Sequence, residues 1–201
     1  AFTVAFVLGT LAAYYNGGII DRIATGFSVL GVSIPNYWFA IVLVIIFAVN
    51  LRWLPATGMG PRGSDGFNIL SLEGMRYAAL PVFTMAMIPL GIIMRSTRSA
   101  VAEVLGQDFV QTLRAKGLGE GAVVTHAVRN ALPGVLAVMG LQFGYLMGGS
   151  ILVETIFTWP GTGFLLNQAI LNRDIPLLQG TILVLALIFV ATNLAVDLLQ
   201  T

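Results

Sequence analysis

The chain has 201 residues, 57% of them hydrophobic and 9% charged, with a mean hydropathy of +0.91 and a net charge of +1. That composition excludes an ordinary soluble domain and points to a membrane protein, with the lipid bilayer and not nucleic acid as its surroundings. The absence of cysteine and the single histidine exclude disulfides, thiolate nucleophiles and zinc clusters.

The first run, AFTVAFVLGTLAAYY, starts within apolar sequence without an initiator Met or a basic flank, so it reads as a helix entered partway and not as a signal peptide. A helix crossing the hydrocarbon core needs roughly 20 apolar residues. Runs approaching that length fall at 1–15, 27–51, 78–94, 131–153 and 177–199, with Pro35, Pro81, Pro89 and Pro133 near ends or at kinks. The expected architecture is therefore all-α: a polytopic transmembrane helical bundle forming one domain over 1–201.

Alternating spans divide the connections into two sets. Residues 16–26 and 95–130 carry Arg22, Arg95, Arg98, Arg114, Lys116 and Arg129, against Arg52, Arg62, Arg76 and Arg173 in 52–77 and 154–176. The excess of cations favours the first set as cytoplasmic, and Trp53 and Trp159 in the second set suit interfacial anchors.

Residues 95–130 are polar yet patterned. DFVQTLRAKG predicts a short helix with Asp108 as N-cap, Gln111 as the partner in a capping box and Gly117 as the left-handed C-terminal cap. Arg114 and Lys116 complement the negative end of its dipole. Phe109, Val110 and Leu113 form an apolar stripe about one turn long, which needs a partner surface on the chain's own span ends or on another subunit. A second helix is expected from Glu120 to Asn130, leading into the span at Pro133.

In the fourth run, Gly140, Gly144 and Gly148 share one helix face at four-residue spacing and let another helix approach, whether for packing alone or for gating. Gln142 lies off that face, as a lining of a polar path or as an amide satisfied by a neighbour. Beyond the run, Glu154, Trp159, Pro160 and Gly161 read either as an outer gate or as an interfacial loop with a Trp anchor and a tight turn.

Some chemistry is not encoded. The only lysine precedes glycine in AKGLG, so no P-loop for ATP can form. Ser150 and His126, the best nucleophile and base available, are 24 residues apart, roughly 36 Å along one continuous helix.

Three stretches carry a family likeness: LGVSIPNYWFAIVLVIIFAVNLRWLPATG, DFVQTLRAKGLGEGAVVTHAVRNALPGVLAVMGLQ and VETIFTWPGTGFLLNQAILNRDIPLLQG. Together they resemble the membrane subunit of binding-protein-dependent ABC importers, namely the first permease of the dipeptide, oligopeptide and nickel group. The resemblance implies a type I importer permease fold of six spans, five of them present here, with an N-terminal span and a C-terminal tail missing. It implies that 95–130 is the cytoplasmic coupling loop, in which Gln111, Thr112, Leu113, Arg114, Ala115, Lys116 and Gly117 dock in a groove of a separate ATPase subunit. Gln111, Thr112 and Leu113 stand where that family's Glu-Ala-Ala would, and Gly119 stands where a Ser is common.

The resemblance further implies partners: a second permease subunit, two ATPase subunits that hold ATP and Mg, and a substrate-binding protein. This chain would bind no cofactor or metal and would not itself be an enzyme. It would sit in a prokaryotic inner membrane and pass peptides, or nickel or glutathione in the same group. Glu154, Trp159, Pro160 and Gly161 would then face the binding protein. A passive channel subunit and a membrane hydrolase are the readings of other classes.

Overall fold

The structure, a computed structural model, describes residues 1–60 and 70–200. Arg62, counted above among the outer cations, lies outside the described residues. Those described form helices α1 (Phe2–Tyr14), α2 (Ile19–Ser33), α3 (Asn36–Leu43), a π-helix (Val44–Asn50), α4 (Leu72–Leu105), α5 (Asp108–Ala115), α6 (Glu120–Phe157), α7 (Thr162–Leu171) and α8 (Ile175–Gln200). No strand occurs among them.

Among the described residues, three helices are long and apolar enough to cross a membrane: α4, residues 120–148 of α6, and α8. Helices α4, α6 and α8 contain the runs expected at 78–94, 131–153 and 177–199. The run at 27–51 is not one continuous helix. Pro35 lacks an N–H and drives the preceding residue out of the helical region, so α2 stops at Ser33 and α3 starts at Asn36 with Pro35 extended as its N-cap. Pro81, Pro89 and Pro133 do not end their helices; α4 and α6 run through them. Along α8 apolar side chains are exposed over most of the circumference, including Ile182, Leu183, Val184 and Leu187.

Two compact units can be separated. The first comprises residues 1–33, 88–142 and the described residues from 193 on. Its core joins Ala13, Val101, Val104, Ala127 and Ala131, and a second cluster joins Ala5, Ile93 and Met94. Small residues let α1 lie close on α4: a Cβ at Gly9 would sit 2.6 Å from the Met94 carbonyl oxygen and 2.8 Å from Thr97 Cβ.

An ion pair closes the same unit. Asp21, 6% exposed, accepts from Arg98 Nε at 2.9 Å and Nη2 at 2.8 Å and from the Gly17 N–H at 2.9 Å. Arg98 also donates to Asn16 Oδ1 at 2.7 Å. Removing one partner of such a pair leaves the other poorly solvated, so Asp21→Asn is expected to cost about 2 kcal/mol, read as a lower thermal midpoint in detergent. Asn16→Ala, which removes only the exposed contact, should change the midpoint far less.

The second unit comprises residues 34–87 and 143–192. Its core is Ala40, Leu43, Leu80, Val153 and Phe157, with Phe47, Leu54 and Trp159 packed on it. Beyond the π-helix, the Trp53 and Leu54 N–H groups both donate to the Phe47 carbonyl, at 2.9 and 3.2 Å, and Arg52 turns the chain at φ 54°. That left-handed conformation costs a non-glycine residue about 1 kcal/mol.

Candidate functional site

The polar segment 95–130 is almost wholly helical: the end of α4, all of α5 and the start of α6, joined by 106–107 and 116–119. Helix α5 exists because its stop signal is strong. Lys116 is the C-cap and Gly117 follows at φ 81°, in the left-handed region where a Cβ is penalised. The Gly117 N–H donates to the Arg114 carbonyl at 2.9 Å and the Leu118 N–H to the Leu113 carbonyl at 3.2 Å. These are the paired bonds of a Schellman motif, with half-buried Leu113 and Leu118 at its hydrophobic positions.

The start of α5 differs from expectation. Gln107, extended at ψ 152°, is the N-cap and makes no side-chain cap bond, while Asp108 is the first helical residue. The Val110 N–H bonds to the Gln107 carbonyl, so the helix begins one residue earlier than a cap at Asp108 would allow. Asp108 therefore acts through its charge on the first turn, and Gln111, at the fourth helical position, closes no capping box. Val110 is fully buried and Leu113 half-buried, whereas Phe109 is 36% exposed.

The remaining α5 residues form an exposed polar face. Gln111, Thr112, Arg114, Ala115, Lys116 and Gly117 are all exposed. Arg114 reaches across the glycine corner to Glu120, donating from Nε to Oε1 at 2.8 Å and from Nη2 to Oε2 at 3.2 Å. The hydrogen bond to Glu120 raises the pKa of Arg114 above its already high ordinary value. Both side chains are exposed, at 44% and 47%, so the fork orients the corner more than it stabilises the fold. Gly119 precedes α6 without a side chain to cap it, and its carbonyl accepts from the Ala122 N–H at 2.9 Å.

Beyond α6, Glu154 has a structural task. Its Oε2 accepts from the Phe164 N–H at 2.8 Å, in the first turn of α7. A carboxylate there satisfies a free donor and complements the helix dipole. Gly161, the N-cap of α7, and Gly163 make room for it: a Cβ at Gly161 would collide with the carboxylate, and one at Gly163 would sit 2.6 Å from Ile151 Cα. Trp159 packs on the core of its unit, and Pro160 is exposed between them.

The three glycines of α6 are not equivalent. A Cβ at Gly140 would lie 2.9 Å from Val196 Cγ2, and one at Gly144 would overlap the Phe189 ring, whereas Gly148 has nothing within 4 Å. Two of the three thus serve contact between α6 and α8. Gln142 is half-buried, and its Oε1 has no hydrogen-bond partner among the described residues. Ser150 donates to the Met147 carbonyl at 3.3 Å, and His126 is exposed 24 residues back on the same helix.

Sequence reasoning missed the Arg114–Glu120 fork, the Asp21–Arg98 pair and the packing role of Gly9. The first spans six residues across a helix corner, which no helical spacing rule covers; the second spans 77 residues. A buried face of small residues, Ala5, Gly9, Ala12 and Ala13, was the readable signal for the third.

Residues 5–201 match the family described as binding-protein-dependent transport system inner membrane component. A peptide transport system permease of Brucella abortus (strain 2308) is 44% identical over 199 residues, covering 98% of this chain and 62% of the relative. The di/tripeptide transport system permease protein DppB of Pseudomonas aeruginosa is 40% identical over 215 residues, covering 99% and 64%. The dipeptide transport system permease protein DppB of Escherichia coli K12 is 38% identical over 221 residues, covering 99% and 64%. The chain thus spans a little under two thirds of the length of these relatives. A match along nearly all of its residues, with relatives at this identity, means that the chain belongs to the binding-protein-dependent transport system inner membrane components.

Proposed function

We propose that the chain is a permease subunit of an ATP-binding-cassette importer in a prokaryotic inner membrane, passing short peptides delivered by a binding protein. The observation that carries the reading is α5: an eight-residue helix with a firm C-terminal stop and an exposed polar face, set between long apolar helices. Residues 95–130 form the cytoplasmic coupling segment of a single permease domain. Gln111 to Gly117 dock in a partner ATPase subunit, which holds ATP and Mg. A second permease subunit completes the path across the bilayer, and this chain hydrolyses nothing.

In this reading, ATP binding on the partner changes the docking energy of α5 and shifts an equilibrium between inward-open and outward-open forms. Peptide is the favoured cargo because the relatives named above carry peptide, dipeptide and di/tripeptide in their names. The deciding experiment is ATP hydrolysis by the complete reconstituted complex, challenged with peptides of two to six residues and separately with nickel chelates and glutathione. Stimulation by peptides alone is the expected result. Stimulation only by nickel or glutathione changes the cargo, and failure to co-purify with any ATPase removes the importer reading in favour of a channel.

The outer segment of Glu154, Trp159, Pro160 and Gly161 faces the binding protein in this arrangement. Trp159→Ala is expected to lower thermal stability by about 2 kcal/mol, because a large aromatic leaves a packed surface. Lowered affinity for the binding protein beyond that stability loss would give the loop a docking role. Unchanged affinity and transport would leave Trp159 a packing residue only.

A further inference from the structure

Where the π-helix ends and α4 begins, the second unit has a cavity of about 290 Å³ lined by Arg52, Glu73, Arg76 and Tyr77 with Ala48 and Leu54. Its charged walls are positioned by different means. Arg76 donates from Nη2 to the Trp53 carbonyl at 2.8 Å, which ties the guanidinium to the loop that carries Arg52. Arg52 occupies a left-handed backbone position that glycine or asparagine fills more readily. Trp53 is held beside Phe47, ring centroids 6.1 Å apart.

Among the described residues, the side chains of Arg52 and Glu73 have no hydrogen-bond or ion-pair partner. Two guanidinium groups line one cavity, and a planar guanidinium suits a carboxylate. Glu73 and Arg76 stand one turn apart on α4, where neighbouring Cβ atoms are roughly 5–6 Å apart. The cavity therefore offers cationic and anionic groups on one lining, together with apolar and aromatic wall.

We propose that this cavity binds a short zwitterionic peptide, with Arg52 and Arg76 taking its carboxylate, Glu73 its ammonium group, and Ala48, Leu54 and Tyr77 its side chain. The proposal rests on the peptide-importer reading above and gives the permease its own contact with the cargo. A phosphatidylethanolamine headgroup offers the same pairing of oxyanion and ammonium, and the test separates the two sources.

The assembled importer is placed in nanodiscs of phosphatidylglycerol, and binding of radiolabelled alanyl-phenylalanine is measured by equilibrium dialysis without binding protein. Arg52→Gln should weaken binding about tenfold, the scale of one charge-assisted contact. The carboxyl-amidated peptide, which forfeits both arginine contacts, should bind the wild type at least about tenfold more weakly yet lose nothing further in Arg52→Gln, and the N-acetylated peptide should show the same relation to Glu73→Gln. Arg173→Gln is the control and should change nothing. Independent, additive losses from the variant and the blocked peptide overturn the proposal. Peptide binding indifferent to these variants, with phosphatidylethanolamine retention falling in Arg52→Gln, assigns the cavity to lipid and also overturns it. Transport that persists with binding insensitive to the variants overturns this inference alone, whereas a wild-type complex that neither binds nor transports peptide overturns both readings.

Discussion

Gly9→Ala is expected to lower the thermal midpoint of the purified complex, although alanine is the better helix former by about 1 kcal/mol. The reason is that the added methyl meets backbone: the Met94 carbonyl oxygen at 2.6 Å and the Arg98 nitrogen at 3.2 Å, beside Thr97 Cβ at 2.8 Å. Neither backbone atom can rotate away, so α1 has to lift off α4, and overpacking of this kind costs about 1–3 kcal/mol. Gly9→Leu should cost more and reduce the yield of folded complex. Gly144→Ala is the instructive comparison, because the Phe189 ring it meets is a side chain, itself 40% exposed, that can swing outward. Gly148→Ala, in open space, should be neutral or slightly stabilising. Equal midpoints for the changes at Gly9 and Gly148 would show that α1 does not hold α4 at this distance.

On the proposed importer reading, Gly117→Val is expected to reduce peptide uptake by about tenfold, since a left-handed backbone costs a branched residue roughly 1–2 kcal/mol and that cost falls on the corner between α5 and α6. Nothing lies within 4 Å of a Cβ at this glycine, so the effect is conformational and not steric. A graded series follows: Gly117→Asn mild, because asparagine tolerates the left-handed region, Gly117→Ala intermediate, Gly117→Val severe. Uptake by a reconstituted complex and co-purification of the ATPase subunit are the two readouts. The same uptake for all three variants would remove α5 from the coupling pathway.

The corner at Gly117 was legible because it depends on local chemistry: a run of helix formers, two cations and a glycine suffice to place a helix end. Apolar length likewise located α4, α6 and α8. Less legible was whether an apolar run is one helix or two. Pro35 breaks its run, whereas Pro81, Pro89 and Pro133 are carried inside longer helices, a difference that the proline alone does not specify. The start of α5 was misplaced by one residue because Asp108 serves equally well as a cap or as a charge in the first turn. Glu154 was readable as an outer carboxylate, but its service to the N-terminus of α7 depends on the chain folding back over ten residues. Asp21 and Arg98, drawn from opposite ends of a long stretch, could be paired only by the fold.

The π-helix at Val44–Asn50 carries a further consequence. There the Leu51 N–H bonds to the Ile46 carbonyl, five residues back, so the stretch holds one residue more than a regular α-helical turn would. Deleting a single residue would restore the regular ladder and narrow the turn, while leaving the residues on either side nearly in register, because the wide turn takes up its extra residue locally. Arg52 and Trp53 come directly after it, so a further inserted residue, which the already widened turn has no room to absorb, would swing them by about 100° about the helix axis.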